Sequence, residues 1–216
     1  MSLSPRIRRR IALACAAMLL LGGCLSFGGD KEITVYSPQL KTEAKADWPT
    51  VAWPLVVAKP LASAVLDSDG IAVRPQPGLL QVYHGVNWSD PAPDMLQTAL
   101  VRAFEDSGRI GAVGRESSGM RGDYVLLLDM RQFEAVYADP DQAPSVVLEL
   151  QAKLLSNPDG RVLSAKTFRS EVPAADAAVP AVVDAFNAAM TQSVSDIVGW
   201  TLASGEADAH KLAAEK

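Results

Sequence analysis

The clearest pattern in this chain is an alternation of apolar and polar positions between residues 123 and 172. Tyr124, Leu126, Leu128 and Met130 recur at every second position, and Phe133, Ala135 and Tyr137 continue the series with opposite parity. One residue inserted near Arg131-Gln132 reconciles the two halves, so a strand over 123–137 with a β-bulge at that point is predicted. Val146, Leu148, Leu150, Ala152 and Leu154 alternate against Glu149, Gln151 and Lys153. The tight connection Asn157-Pro158-Asp159-Gly160 then returns the chain as a third strand, 161–172. Three long neighbouring strands predict an antiparallel meander.

Two stretches carry helical spacing instead. Leu96, Leu100 and Phe104 recur at every fourth position, with Ser89 or Asp90 as the expected cap, Pro91 in the first turn and Ser107-Gly108 as the stop. Val182, Phe186, Met190, Val194 and Ile197 lie on one face of a longer helix over 179–202, introduced by Pro180. Shorter signals precede them. Residues 50–57 read as a strand with an edge or bulge at Pro54, 61–66 as a short helical turn, and 71–74 and 79–83 as strands. Gly85 to Trp88 breaks the pattern, and a short extended segment surrounds Val113. Together these give an α+β fold: an antiparallel sheet with a three-stranded meander packed against two amphipathic helices.

The amino-terminal end obeys another logic. Arg6, Arg8, Arg9 and Arg10 precede an apolar run from Ile11 to Leu21, within the ~7–15 residues of a signal-peptide core and too short to span a bilayer. Leu21-Gly22-Gly23-Cys24 follows, an apolar residue three before a cysteine with two small residues between. That spacing is a lipobox: the signal is cut before Cys24, whose thiol takes a diacylglyceryl group and whose new amino terminus is acylated. At ~0.8 kcal/mol per buried methylene, several acyl chains make the anchorage effectively permanent. Leu25 stands where Asp would favour inner-membrane retention, so the outer membrane is the expected destination, with the domain facing the periplasm. The expected organisation is a signal over 1–23, a lipidated tether over 24–48, a single domain over 49–204 and a fraying tail over 205–216.

Charge and cysteine content narrow the chemistry further. Four of the 20 Lys and Arg and none of the 25 Asp and Glu lie in the signal, which leaves 16 against 25, a net of minus nine. Such a chain lacks the clustered cations that phosphate binding needs, so nucleic acid is not an expected partner. Cys15 falls in the signal and Cys24 becomes a thioether, so no disulfide, Cys metal site or Cys nucleophile is expected. His84 has no nucleophile-like neighbour in sequence, Ser117-Ser118-Gly119 is not a nucleophile elbow, and Asp67-Ser68-Asp69-Gly70 and Asp139 to Asp141 lack the ligands of a Ca²⁺ loop. No enzyme activity, metal or cofactor is expected. Among the tryptophans, Trp53 and Trp200 are expected in the core. Trp48 and Trp88 suit either core or interface, and Tyr83, Trp88 and Trp48 are the candidate partner-facing residues.

Taken in order, the lipobox, Tyr36-x-Pro38, Leu55-Val56-Val57-Ala58-Lys59-Pro60 and Leu66-x-x-x-x-Ile71-x-x-Arg74 make a recognisable succession. It continues through Tyr83 to Trp88, the Leu96/Leu100 helix, Asp123-Tyr124-x-Leu126, Phe133-Glu134 and Trp200. This succession resembles the ABC-type transport auxiliary lipoprotein family over essentially the whole mature chain. The resemblance implies a non-enzymatic subunit of a lipid-trafficking system, working with an ABC ATPase, a permease and an MCE-domain protein that bridges the periplasm. It also implies a homo-oligomer, a ring matching a ring-shaped partner. No functional residue transfers from it except Cys24. The alternative is an envelope scaffold or activator lipoprotein for cell-wall enzymes, unrelated to lipid.

Overall fold

A computed structural model describes residues 32–215; the signal, the lipobox and Cys24 lie outside that range. The strands are β1 (Thr34–Tyr36), β2 (Val51–Val57), β3 (Leu61–Ala62), β4 (Gly70–Gln76) and β5 (Leu79–Trp88). After helix α1 (Ala92–Ser107) come β6 (Ile110–Arg115), β7 (Tyr124–Val136), β8 (Ser145–Ser156), β9 (Val162–Pro173) and helix α2 (Val179–Ala214). The α+β class holds, and β7, β8 and β9 form the antiparallel meander. The bulge falls between Met130 and Gln132, where the register with β8 slips by one residue. That slip turns Phe133 and Ala135 onto the same buried side as Leu126 and Leu128.

β7 organises the sheet. One edge pairs with β8 along its whole length, while the other pairs in parallel with β2 at Tyr124 to Leu126, β3 at Asp129 and Met130, and β4 at Ala135 and Val136. β6 extends the sheet beyond β2, and β5 and β1 extend it beyond β4. Beyond the meander and the β4–β5 hairpin, the pairing is therefore parallel. Both helices cover one face. Leu96, Leu100 and Phe104 of α1 and Phe186, Met190, Val194 and Ile197 of α2 are fully buried against Leu148, Leu150, Leu154 and their neighbours. Each such side chain contributes ~1.5–3 kcal/mol on leaving water.

Several local expectations change. Residues 61–66 are not helical: Leu61 and Ala62 pair with β7, since the peptide after Pro60 is already extended and finds open strand partners there. Gly85 does not end β5, because its φ of +75° absorbs a kink that a side chain would resist, and pairing resumes to Trp88. The cap of α1 is Pro91, with ψ near 141° and no side-chain bond, because the Ser89 hydroxyl is turned toward the Ser37 hydroxyl at 3.3 Å. Gly108 closes α1 as expected, with φ of 60° and its amide donating to the Glu105 carbonyl.

The largest differences are at the two ends of the folded part. Residues 33–48, assigned to the tether, lie on the domain: β1 pairs with β5, Tyr36 and Leu40 pack on the core, and Trp48 is buried. Residues 205–214, assigned to a fraying tail, continue α2. Tertiary bonds hold them. Trp53 Nε1 donates to Glu206 at 3.3 Å, Tyr124 donates its hydroxyl to Asp208 at 3.2 Å, and Arg161 donates to the other Asp208 oxygen at 3.1 Å.

Candidate functional site

The expected aromatic residues do not form one surface. Trp88 is 2% exposed, wedged against Phe133 and edge-on to Phe186 at 5.2 Å, and its Nε1 has no hydrogen-bond partner. Trp48 lies against α2 at Gly199. Phe186 and Gly199 are thirteen residues apart, so these two indoles sit about 20 Å from each other along the helix. Both are interior residues of the protomer, because α2 covers the sheet face on which they lie. Only Tyr83 keeps partial exposure, and its hydroxyl meets that of Tyr137 at 3.4 Å. Burial first, then the Tyr137 hydroxyl, push the Tyr83 phenol above its ordinary range. Trp53 is in the core as expected, and Trp200 packs on it with its ring against Phe168.

Two charged contacts join residues that stand far apart in the sequence pattern. Arg74 grips Glu134 with both ends of its guanidinium, Nε to Oε1 at 2.8 Å and an Nη to Oε2 at 2.9 Å, and the carboxylate is almost wholly buried. Since both residues protrude from the helix-free face, this fork fastens β4 to β7 where their backbone pairing is shortest. Lys59 donates to Asp94 at 2.8 Å and pairs with Asp67 at 3.1 Å, tying the end of β2 to α1 and to the following turn. The bond to Asp94, then that to Asp67, raises the ammonium above its usual range. Opposite charges at spaced positions of the pattern were the available sequence signal, but nothing in the spacing said which would meet.

Two concave regions remain. A groove of about 220 Å³ runs between residues 37–42 and α1. Its floor carries Leu40, Met95, Ala99 and Met190, while Asp90, Arg102 and Asp106 are among its polar lining. A shallower depression of about 360 Å³ on the helix-free face includes Leu61, Leu127, Asp129, Arg131 and Lys153. Among the described residues no cluster of three His, Cys, Asp or Glu is placed to hold a metal. The acidic turns are used internally, Asp69 accepting from Asn87 and Asp139 from the Asp141 amide. Neither concavity lines up a nucleophile with a base, so binding and docking are what the surface offers.

Known proteins place this arrangement. A crystal structure of a protein from Xanthomonas campestris is 46% identical, covers 82% of this chain and 99% of its own, and superposes with a TM-score of 0.79. A second solved structure, of an uncharacterized protein, shares the fold at 16% identity and a TM-score of 0.60, covering 77% of this chain and 97% of its own. An uncharacterized protein of Bradyrhizobium diazoefficiens is 26% identical over 156 residues, 71% of this chain; the match spans only 40% of that relative's length. The sequence pattern of the ABC-type transport auxiliary lipoprotein component matches residues 35–198, from β1 well into α2. With that match running through every strand and both helices, the chain belongs to the ABC-type transport auxiliary lipoprotein family.

Proposed function

We propose that this chain is a lipid-anchored, periplasm-facing subunit of an ABC/MCE-type lipid transport system, docking the trans-envelope bridge at the outer membrane. The observation that carries the reading is a transport-auxiliary domain over 35–198 lying directly behind a lipobox at Leu21 to Cys24. Leu25 supports the outer membrane over the inner. Among the described residues no helix is long and apolar enough to cross a membrane, which suits anchoring through the cysteine. The groove is below the ~300–1,000 Å³ range of sites that enclose a small-molecule ligand. A docking role therefore fits better than that of a lipid carrier. β9 pairs on one side only, with β8, and its free edge suits assembly with further copies into a ring.

The test is affinity capture of the full lipoprotein, crosslinked in intact cells. The proposed role predicts recovery of an MCE-domain protein together with its permease and ATPase. Recovery of cell-wall enzymes without them would favour the scaffold reading and overturn this one.

A further inference from the structure

Ile33, Val35 and Val82, three of the exposed large apolar side chains, gather at one corner of the sheet. Val35 pairs with Asn87, and Asn87 with Gly70, so these three residues share a face. A side chain on Gly70 would run into Val82, which puts Val82 on that face as well. Ile33 precedes Val35 by two positions, the spacing that returns a side chain to the same side of an extended chain. The result is an apolar corner, with Ile33 57%, Val35 60% and Val82 48% exposed. The reverse side of these strands carries the buried Ile71, Val73 and Trp88. Nothing on β1 is charged; Glu32 and His84 are the nearest titratable residues in sequence, and Asp69 is held by the Asn87 amide.

Position decides what meets this corner. Eight residues separate Cys24 from Ile33, and a chain gains at most ~3.3–3.6 Å per residue, so Ile33 stays within about 30 Å of the lipidated cysteine in any conformation. β1 is therefore the strand held nearest the membrane. We infer that the β1/β5 corner is the bilayer-facing surface of the domain, and that Ile33, Val35 and Val82 rest in the headgroup region of the membrane that holds Cys24. The contact is apolar in character, because a mature chain with 16 Lys and Arg against 25 Asp and Glu is repelled by anionic lipid. It fixes which side of the domain is turned to the periplasm.

This inference rests on Cys24 being the anchor, and the experiment separates the two. Acylation of Cys24 leaves no free thiol in the mature chain, so one introduced cysteine carries an environment-sensitive fluorophore at a chosen site. The acylated full chain is labelled as Val35→Cys, Val82→Cys or, far from the corner, Val162→Cys, and reconstituted into phosphatidylcholine/phosphatidylethanolamine vesicles. The expected result is a blue shift and several-fold weaker iodide quenching at positions 35 and 82, unchanged at high salt, with position 162 as accessible as free dye. Headgroup spin-labelled lipid should quench the first two only. Equal iodide access at all three sites in protein that floats with the vesicles would overturn the corner and leave the anchor standing. Protection that persists in detergent micelles without vesicles would overturn it in favour of contact with a second copy. Failure of the processed chain to float would overturn the anchor and the inference together.

Discussion

Gly199 and Gly205 hold α2 on the sheet by what they lack. A Cβ on Gly199 would sit 2.5 Å from the Trp48 Nε1, and one on Gly205 closer still to the Trp53 ring. Both indoles are buried and cannot swing aside. Alanine favours a helix over glycine by ~1 kcal/mol, whereas overfilling a packed site costs ~1–3 kcal/mol, so the clash wins. Gly199→Ala and Gly205→Ala should each lower the urea midpoint, and a gain at either position would contradict the packing. The Arg74 to Glu134 fork makes a second residue-scale prediction. Arg74→Met strands a buried carboxylate and should cost about 3 kcal/mol in urea unfolding, while adding Glu134→Leu should recover most of it. Tyr124 makes a third. Burial, then Asp208, pushes its phenol up to about 12 from the usual 10. The folded state thus keeps a proton that the unfolded chain releases, and the associated stability is present below pH 10 and lost as pH rises from 10 toward 12. Tyr124→Phe should flatten that part of a stability profile measured by denaturant titration, leaving the contribution of Tyr83 in the same direction.

At the scale of elements, the end of α2 separates what the residues disclose from what they conceal. Gly205 looks like a terminator, because a helix interior disfavours glycine and no apolar stripe continues beyond Leu202. The helix persists because Glu206 and Asp208 find Trp53, Tyr124 and Arg161, partners from distant parts of the chain. Deleting 205–216 should therefore lower the thermal midpoint by roughly 10 °C, given that bonds to charged groups are worth ~1.5–3 kcal/mol each and 1 kcal/mol moves a domain of this size ~2–4 °C. An unchanged midpoint would mean that these bonds are idle. The meander, the bulge near Arg131-Gln132 and the Gly108 stop were legible, since each is written in a local period or a single backbone requirement. The parallel pairs were not. β2, β3 and β4 meet β7 across long loops, and alternation within a strand carries no record of which distant edge it joins. The same blindness hid the Arg74–Glu134 and Lys59–Asp94 contacts, and it left Trp48 and Trp88 undecided between core and surface.

On the scale of the whole molecule, function was more legible than architecture at the amino-terminal end and less so in the domain. The lipobox is a linear signal that needs no fold, and the succession of weak motifs up to Trp200 pointed to the transport auxiliary lipoproteins. The domain offers no assembled chemistry, only edges, a shallow face and a groove, so its site could not be read from residue types. An acidic domain without a catalytic constellation draws its role from where it is held, and the proposed docking role stands or falls with the anchor at Cys24. The most direct measurement is complementation of a deletion strain by Cys24→Ala expressed with a cleavable secretory signal, scored by sensitivity to detergent. The account predicts a folded, soluble periplasmic domain that fails to restore resistance. Full restoration by that unanchored domain would contradict it.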